Sequence, residues 1–314
     1  MRDDTFGPDP APGTITIPLA DDERRREDAL RDLFARFWGN ATGEPRAVYD
    51  TFIAGSPRAD GVAFDPVDEA GIRGWWVRPA DAAPGQAILF LHGGGYVQGT
   101  AAAYRGFVSQ IASRAGVAAL AIDYPLAPEA TLPAAPEAAL AAWDWLIGQG
   151  YDRIAVVGDS AGGGLSLVTL ASLALRARGP APVAGVVFSP WTDLTLSGPS
   201  MNDPSVQDPL IGRAYLQDCA RKYAGARDVR HPLASPLLGD LRGLPPLLIQ
   251  VGTDERLIDD ATRYARRAEQ AGVAVWLEVW EGLHHVFQLD IAHLDSSRRA
   301  LDRAAAFLRR ASAS

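Results

Sequence analysis

A chain of 314 residues, 47% apolar and 22% charged, can bury a large core and has the composition of an ordinary globular protein. Its formal charge of −8 disfavours nucleic acid and anionic membrane surfaces as partners. No apolar run approaches the ~18 residues of a membrane helix.

Residues 1–20 are rich in Pro, Gly and Asp and predict a mobile segment. The N-terminus Met1-Arg2-Asp3-Asp4 lacks the apolar stretch of a secretory signal, so a soluble, cytoplasmic protein is expected. From Asp21 to Trp38 the pattern changes. Leu30, Leu33, Phe34, Phe37 and Trp38 recur at helical spacing, and Asp21, Asp22 and Glu23 suit a helix N-terminus. Residues 62–78 read as a hairpin turning at Gly71.

Short apolar runs follow at 87–91, 117–122, 154–157, 183–188, 247–251 and 273–280, with helical stretches such as 134–147 and 161–176 between them. Alternation of this kind predicts an α/β fold, with a mostly parallel sheet and helices on both faces. Between Pro190 and Pro245 no strong strand appears. Ile211, Tyr215, Leu216, Cys219 and Tyr223 suggest a helix there. Cys219 is the only cysteine, which excludes an internal disulfide, and its setting reads as a buried helix face. Residues 1–50, with an insertion near 195–230, could cover the C-terminal edge of the sheet in 51–314, where open α/β sheets bind ligands. The run 273–280, with Trp276 and Trp280, reads as an edge strand that could pair with a second subunit in a homodimer.

The most informative stretch is Gly158-Asp159-Ser160-Ala161-Gly162, which follows an apolar strand and precedes a helix. Gly-x-Ser-x-Gly also occurs by chance in glycine-rich loops. Strand before and helix after are the setting of a nucleophile elbow. Another strand runs into His92-Gly93-Gly94-Gly95-Tyr96. Attack on an acyl carbon creates an alkoxide that preorganised N–H groups must meet. Gly94, Gly95 and Ala161 are the donors expected. A phosphate-binding loop is the competing reading, but no Gly-Lys-Ser/Thr ending follows. His92 has no histidine near it in sequence, which favours a structural ring.

A serine hydroxyl needs a base, and the base needs an orienting acid. Asp254 ends the apolar run 247–251, where a strand-end loop should place it near Ser160. A helix cap or a solvated carboxylate is the alternative. Asp259 and Asp260 are rivals that fall in the next helix. Among His92, His231, His284, His285 and His293, the pair 284–285 follows the last strand. Chemistry alone does not choose between them.

Five segments together resemble the bacterial hormone-sensitive-lipase-like family of α/β-hydrolase esterases. They are His92 to Tyr96, Asp123-Tyr124-Pro125-Leu126-Ala127-Pro128-Glu129, Gly158 to Gly163, Ser189-Pro190-Trp191-Thr192-Asp193-Leu194 and Gly252-Thr253-Asp254-Glu255. The resemblance implies an α/β-hydrolase fold with a helical cap and the triad Ser160, Asp254 and His285. His285-Val286-Phe287 fits the family's spacing from base to aromatic. It also implies a serine carboxylesterase acting on short- to medium-chain acyl esters with no cofactor and no metal. Lactone or amide hydrolysis would use the same residues. A ligand receptor on this fold would lack the histidine. Pro125 and Gly164 stand where the family usually has Arg and Asn. Leu33, Phe37 and Trp38 are candidates to line the substrate pocket, with ordinary packing as their alternative. An unperturbed base predicts activity that falls below about pH 6.5.

Overall fold

The computed structural model describes residues 11–176 and 179–313. Nine strands form one sheet: β1 (Gly13–Ile17), β2 (Val62–Glu69), β3 (Ile72–Pro79), β4 (Gln86–Leu91), β5 (Ala118–Ile122), β6 (Arg153–Asp159), β7 (Ala184–Phe188), β8 (Leu247–Gly252) and β9 (Val275–Trp280). Their spatial order is β1-β9-β8-β7-β6-β4-β5-β3-β2. All neighbours run parallel except β2–β3 and β3–β5. The hairpin and the six later runs therefore lie where the apolar pattern predicted them.

The helices are α1 (Asp21–Asn40), α2 (Pro45–Ile53), α3 (Ala101–Ala115), α4 (Ala134–Gly148), α5 (Ser160–Ala174), α6 (Arg213–Ala224), α7 (Ile258–Gln270) and α8 (Asp295–Ala313). The central strands read as unbroken apolar runs because both of their faces are buried. In β4, Ile88 and Phe90 join a core with Phe107 of α3 and Leu301 of α8. Leu89 and Leu91 point the other way, into a core with Ala139 of α4, Leu165 of α5 and Tyr264 of α7.

Two expectations are corrected. Residues 13–17, expected to be mobile, form β1, which pairs with β9 from Gly13↔Trp276 to Ile17↔Trp280. Residues 1–10 of that segment lie outside the described residues. Strand β9 is consequently not an edge: it has β1 on one side and β8 on the other, and Trp280 is buried. The argument for a homodimer through β9 loses its basis, because the backbone groups that a second subunit would need are already paired.

Helix α6 fills the expected insertion, with Leu216, Cys219 and Tyr223 buried and Ile211 just before its start. A third core joins Leu30 and Phe34 of α1 to Trp280, Leu283, Phe287 and Leu294. Helix α1 is thus packed on the segment that follows β9. No helix among the described residues is long and apolar enough to cross a membrane.

Candidate active site

Ser160 lies where β6 turns into α5, with φ at +51°. A left-handed backbone costs a non-glycine residue on the order of 1–3 kcal/mol. The turn is possible only with small neighbours. A Cβ on Gly162 would collide with the carbonyls of Leu91 and His92, and one on Gly158 with that of Leu91. Gly164, where the resemblance suggested Asn, faces the Trp191 carbonyl so closely that a Cβ would strike it. A side chain at 164 would therefore need the 191 backbone to move away from α5.

His285 arrives from the segment after β9. Its Nε2 is 2.9 Å from Ser160 Oγ, and its Nδ1 donates to Glu255 Oε1 at 3.2 Å. Glu255 is fully buried. Its Oε2 accepts from Ser189 Oγ at 2.7 Å and from the Gly252 N–H at 2.9 Å. The expected acid, Asp254, is not in this chain of hydrogen bonds. Its side chain is 39% exposed, and its Oδ2 is 3.1 Å from Arg31 Nη2 on α1. In the turn after β8 the two consecutive side chains diverge. The longer Glu255 folds back under the strand end to reach the Gly252 and Ser189 donors, while Asp254 points out to Arg31. Asp259 and Asp260, the other rivals, sit on α7 and bond to Ser200 and to the 192–193 backbone.

Burial alone would lower the His285 pKa, but the hydrogen bond and charge of Glu255 outweigh it and hold the ring above its ordinary value. The expectation of an unperturbed base is corrected accordingly. Burial pushes the Glu255 carboxyl up, and its bonds to His285 and Ser189 partly offset this.

Gly94 and Gly95, with φ of +108° and +63°, border the same cavity as Ser160 and His285. A Cβ on Gly95 would lie 2.8 Å from Cys219 Sγ, so the bare backbone is needed there. Ala161 is in the first turn of α5, where helix N–H groups lack intrahelical partners. Asp159, which the sequence reading passed over, holds this loop. It accepts from the Gly93 N–H at 2.9 Å and from Tyr104 Oη at 3.0 Å. Burial raises its pKa to about 7 despite those bonds. His92 is buried, stacked on Tyr124 at 4.3 Å, with Nδ1 2.7 Å from the Gly93 carbonyl. This is a structural ring.

The cavity measures about 460 Å³ and lies between the sheet edge and helices α1, α2 and α6. Its walls are largely apolar and include Trp38, Val48, Phe52, Leu210, Leu216 and Leu289. Of the three α1 candidates, Trp38 lines it. Leu33 and Phe37 do not. They border a second, smaller chamber of about 230 Å³, and Phe52 lines both spaces. Only the last turn of α1 reaches the main cavity.

The strand order, the left-handed turn at Ser160 and the helices above it define an α/β hydrolase. The family model described as the alpha/beta hydrolase fold matches residues 88–289. An acetyl-hydrolase of Streptomyces hygroscopicus is 40% identical over 290 residues, which is 90% of this chain and 96% of that protein. An ethyl acetate hydrolase of Pseudomonas putida is 39% identical over 220 residues, 66% of this chain and 67% of the relative. A solved esterase of the bacterial hormone-sensitive lipase family matches with a TM-score of 0.87 at 37% identity, covering 93% of this chain and 99% of that one. The chain belongs to the bacterial hormone-sensitive-lipase-like family of α/β-hydrolase esterases.

Proposed function

We propose that the protein is a serine carboxylesterase that cleaves small acyl esters through an acyl-enzyme, with Ser160 as nucleophile, His285 as general base and Glu255 as its orienting acid. The observation that carries this reading is the hydrogen-bonded chain from Ser160 through His285 to Glu255 at the floor of the cavity. Ester hydrolysis also fits the printed names of the acetyl and ethyl acetate hydrolases.

Ser160 Oγ attacks the ester carbonyl carbon while His285 Nε2 takes its proton. The carbonyl oxygen becomes an alkoxide, which the N–H groups of Gly94, Gly95 and Ala161 meet. His285 then returns the proton to the leaving alkoxy oxygen, and an alcohol departs. Water attacks the acyl-enzyme with His285 again as base, which releases the carboxylic acid and restores Ser160. Glu255 holds Nδ1–H and so presents Nε2 as the acceptor.

Helices α1, α2 and α6 act as the cap, and the apolar walls receive the acyl chain. The strained backbone at Ser160 favours catalysis over simple ligand storage, since a binding pocket has no need to hold a hydroxyl on a left-handed turn.

A panel of p-nitrophenyl esters from acetate upward, run on wild type and on Ser160→Ala, tests the proposal. Turnover of acetate or butyrate that disappears in the variant is expected. Equal turnover by both proteins would overturn it.

A further inference from the structure

His284, the residue before the base, takes no part in the reaction above, yet its side chain is wholly buried. Its Nδ1 lies 2.8 and 2.9 Å from the two carboxylate oxygens of Glu27 on α1. Its Nε2 lies 3.0 Å from Asp290 Oδ2. An ionised carboxylate only accepts, so a ring held between two of them must carry a proton on each nitrogen. His284 is therefore an imidazolium, and despite its burial the two carboxylates raise its pKa to about 10. Phe34 of α1 packs edge-on against it at 5.0 Å.

Glu27 and Arg31 tie the cap helix to the chain around the site. Glu27, 2% exposed, also accepts from Arg31 Nε at 2.9 Å. Arg31 reaches on to Asp254 in the turn after β8 and to the Gln207 carbonyl. Asp290 belongs to the same segment as His284. On the far side of His285, Val286 has φ of +53°, a costly conformation for a β-branched residue, and its N–H is held by Ser189 Oγ at 3.0 Å. Such strain persists only where the surroundings fix it. The base thus sits between one neighbour clamped from the cap and another held on a strained backbone.

We infer that Glu27, on the cap helix α1, is a positioning residue for the reaction: by clamping His284 it keeps His285 within hydrogen-bond reach of Ser160. The inference rests on the serine mechanism proposed above, and it makes the cap a part of the catalytic apparatus as well as a wall of the pocket.

The test is Glu27→Gln, assayed well below its melting temperature. Misplacing a catalytic group by about an ångström costs up to ~10²-fold, so kcat is expected to fall by roughly 10- to 100-fold with KM little changed. Glu27→Asp should recover part of the loss. With only Asp290 left as counter-ion, His284 should lose its proton at lower pH, and the variant should gain an alkaline decline in kcat that wild type lacks below about pH 10. A merely structural role would lower the melting temperature and leave that profile alone. A folded Glu27→Gln with wild-type kcat and pH profile overturns the inference. If that variant does not fold, Asp290→Asn, at the more accessible partner, carries the same expectations. Histidine NMR on the wild type reads the clamp without any substrate, with the His284 resonance assigned by His284→Asn. That ring should stay charged to about pH 10, and titration near the ordinary histidine value overturns the inference. Wild type that turns over no ester and is not labelled at Ser160 by a phosphonate refutes the serine mechanism instead, and the NMR titration still reports on the clamp.

Discussion

Asp254 and Glu255 are consecutive in the chain, yet their carboxylates serve different parts of the molecule. Glu255 Oε1 is 3.2 Å from His285 Nδ1, whereas Asp254 Oδ2 is 3.1 Å from Arg31 Nη2 on α1. The same split recurs at the two histidines. His285 faces Ser160, and His284 faces Glu27. Two neighbouring acid and histidine positions thus supply an inner pair that reaches Ser160 and an outer pair that reaches α1.

The split predicts unequal losses. Glu255→Gln should lower kcat by on the order of 10³- to 10⁴-fold, since the imidazole would lose its tautomer and its counter-charge. Asp254→Asn should stay within about threefold, because an ion pair this exposed contributes only ~0–1 kcal/mol. Steady-state assays of both variants on one short ester decide it. A larger loss at position 254 than at 255 would reverse the assignment of the acid.

The pH dependence follows from the direction of the His285 shift. Burial lowers its pKa, but the hydrogen bond and charge of Glu255 raise it further, for a net rise. A general base works unprotonated, so kcat/KM should decline toward acid pH with a midpoint above the ordinary ~6.5. In Glu255→Gln the raising partner is gone and burial remains, so the residual activity should show its midpoint at lower pH. A wild-type midpoint at or below ~6.5, or a limb that does not move in the variant, contradicts this account.

Asp260 predicts a stability effect away from the site. It is fully buried, and its Oδ2 accepts from the Thr192 and Asp193 N–H groups at 2.7 Å each. Burial, then the charge of Asp193, raises its pKa to about 8. Unfolded, it would titrate near ~3.9. The raised folded value means a contribution to stability that is complete below about pH 4 and lost as pH rises through about 8. Asp260→Asn keeps the acceptor oxygen and removes the titration. Its melting temperature should therefore fall less between these limits than that of wild type. Parallel curves for the two proteins would show that Asp260 is already ionised when folded.

The legible parts of the chain were those decided locally. Strands β4 to β8 announce themselves because burial on both faces demands unbroken apolar runs. The nucleophile turn is legible because Gly158 and Gly162 stand where a Cβ would strike backbone. The sequence alone missed what distant partners decide. Gly13-Thr14-Ile15-Thr16-Ile17 is mostly exposed and its Thr/Ile alternation is too short to stand out in a Pro- and Gly-rich stretch, and it is a strand because β9 offers it a free edge. Glu255 rather than Asp254 meets His285 because the Gly252 N–H and Ser189 hydroxyl lie inward of the turn. Leu33, Phe37 and Trp38 share helical spacing, but Trp38 alone of the three borders the main cavity, and spacing along one helix does not say which turn reaches it.

The wall between the two chambers sets the last expectation, on acyl length. Phe52 lines both spaces, and its ring packs on Trp38 of the main cavity at 5.1 Å and on Phe34 and Phe37 of the smaller chamber at 5.4 and 5.3 Å. Phe52→Ala should join the chambers and let a longer acyl chain pass beyond the present wall. Each methylene taken from water contributes ~0.8 kcal/mol, so three newly housed methylenes should raise the kcat/KM ratio of octanoate to butyrate esters by more than about tenfold. Some loss of stability will accompany the cavity. Leu33→Trp, placed in the same chain, should refill the chamber and reverse the shift, which separates a joined pocket from general loosening. A chain-length profile that Phe52→Ala leaves unchanged would mean that the acyl group lies elsewhere, toward α6, with the alcohol directed at Phe52.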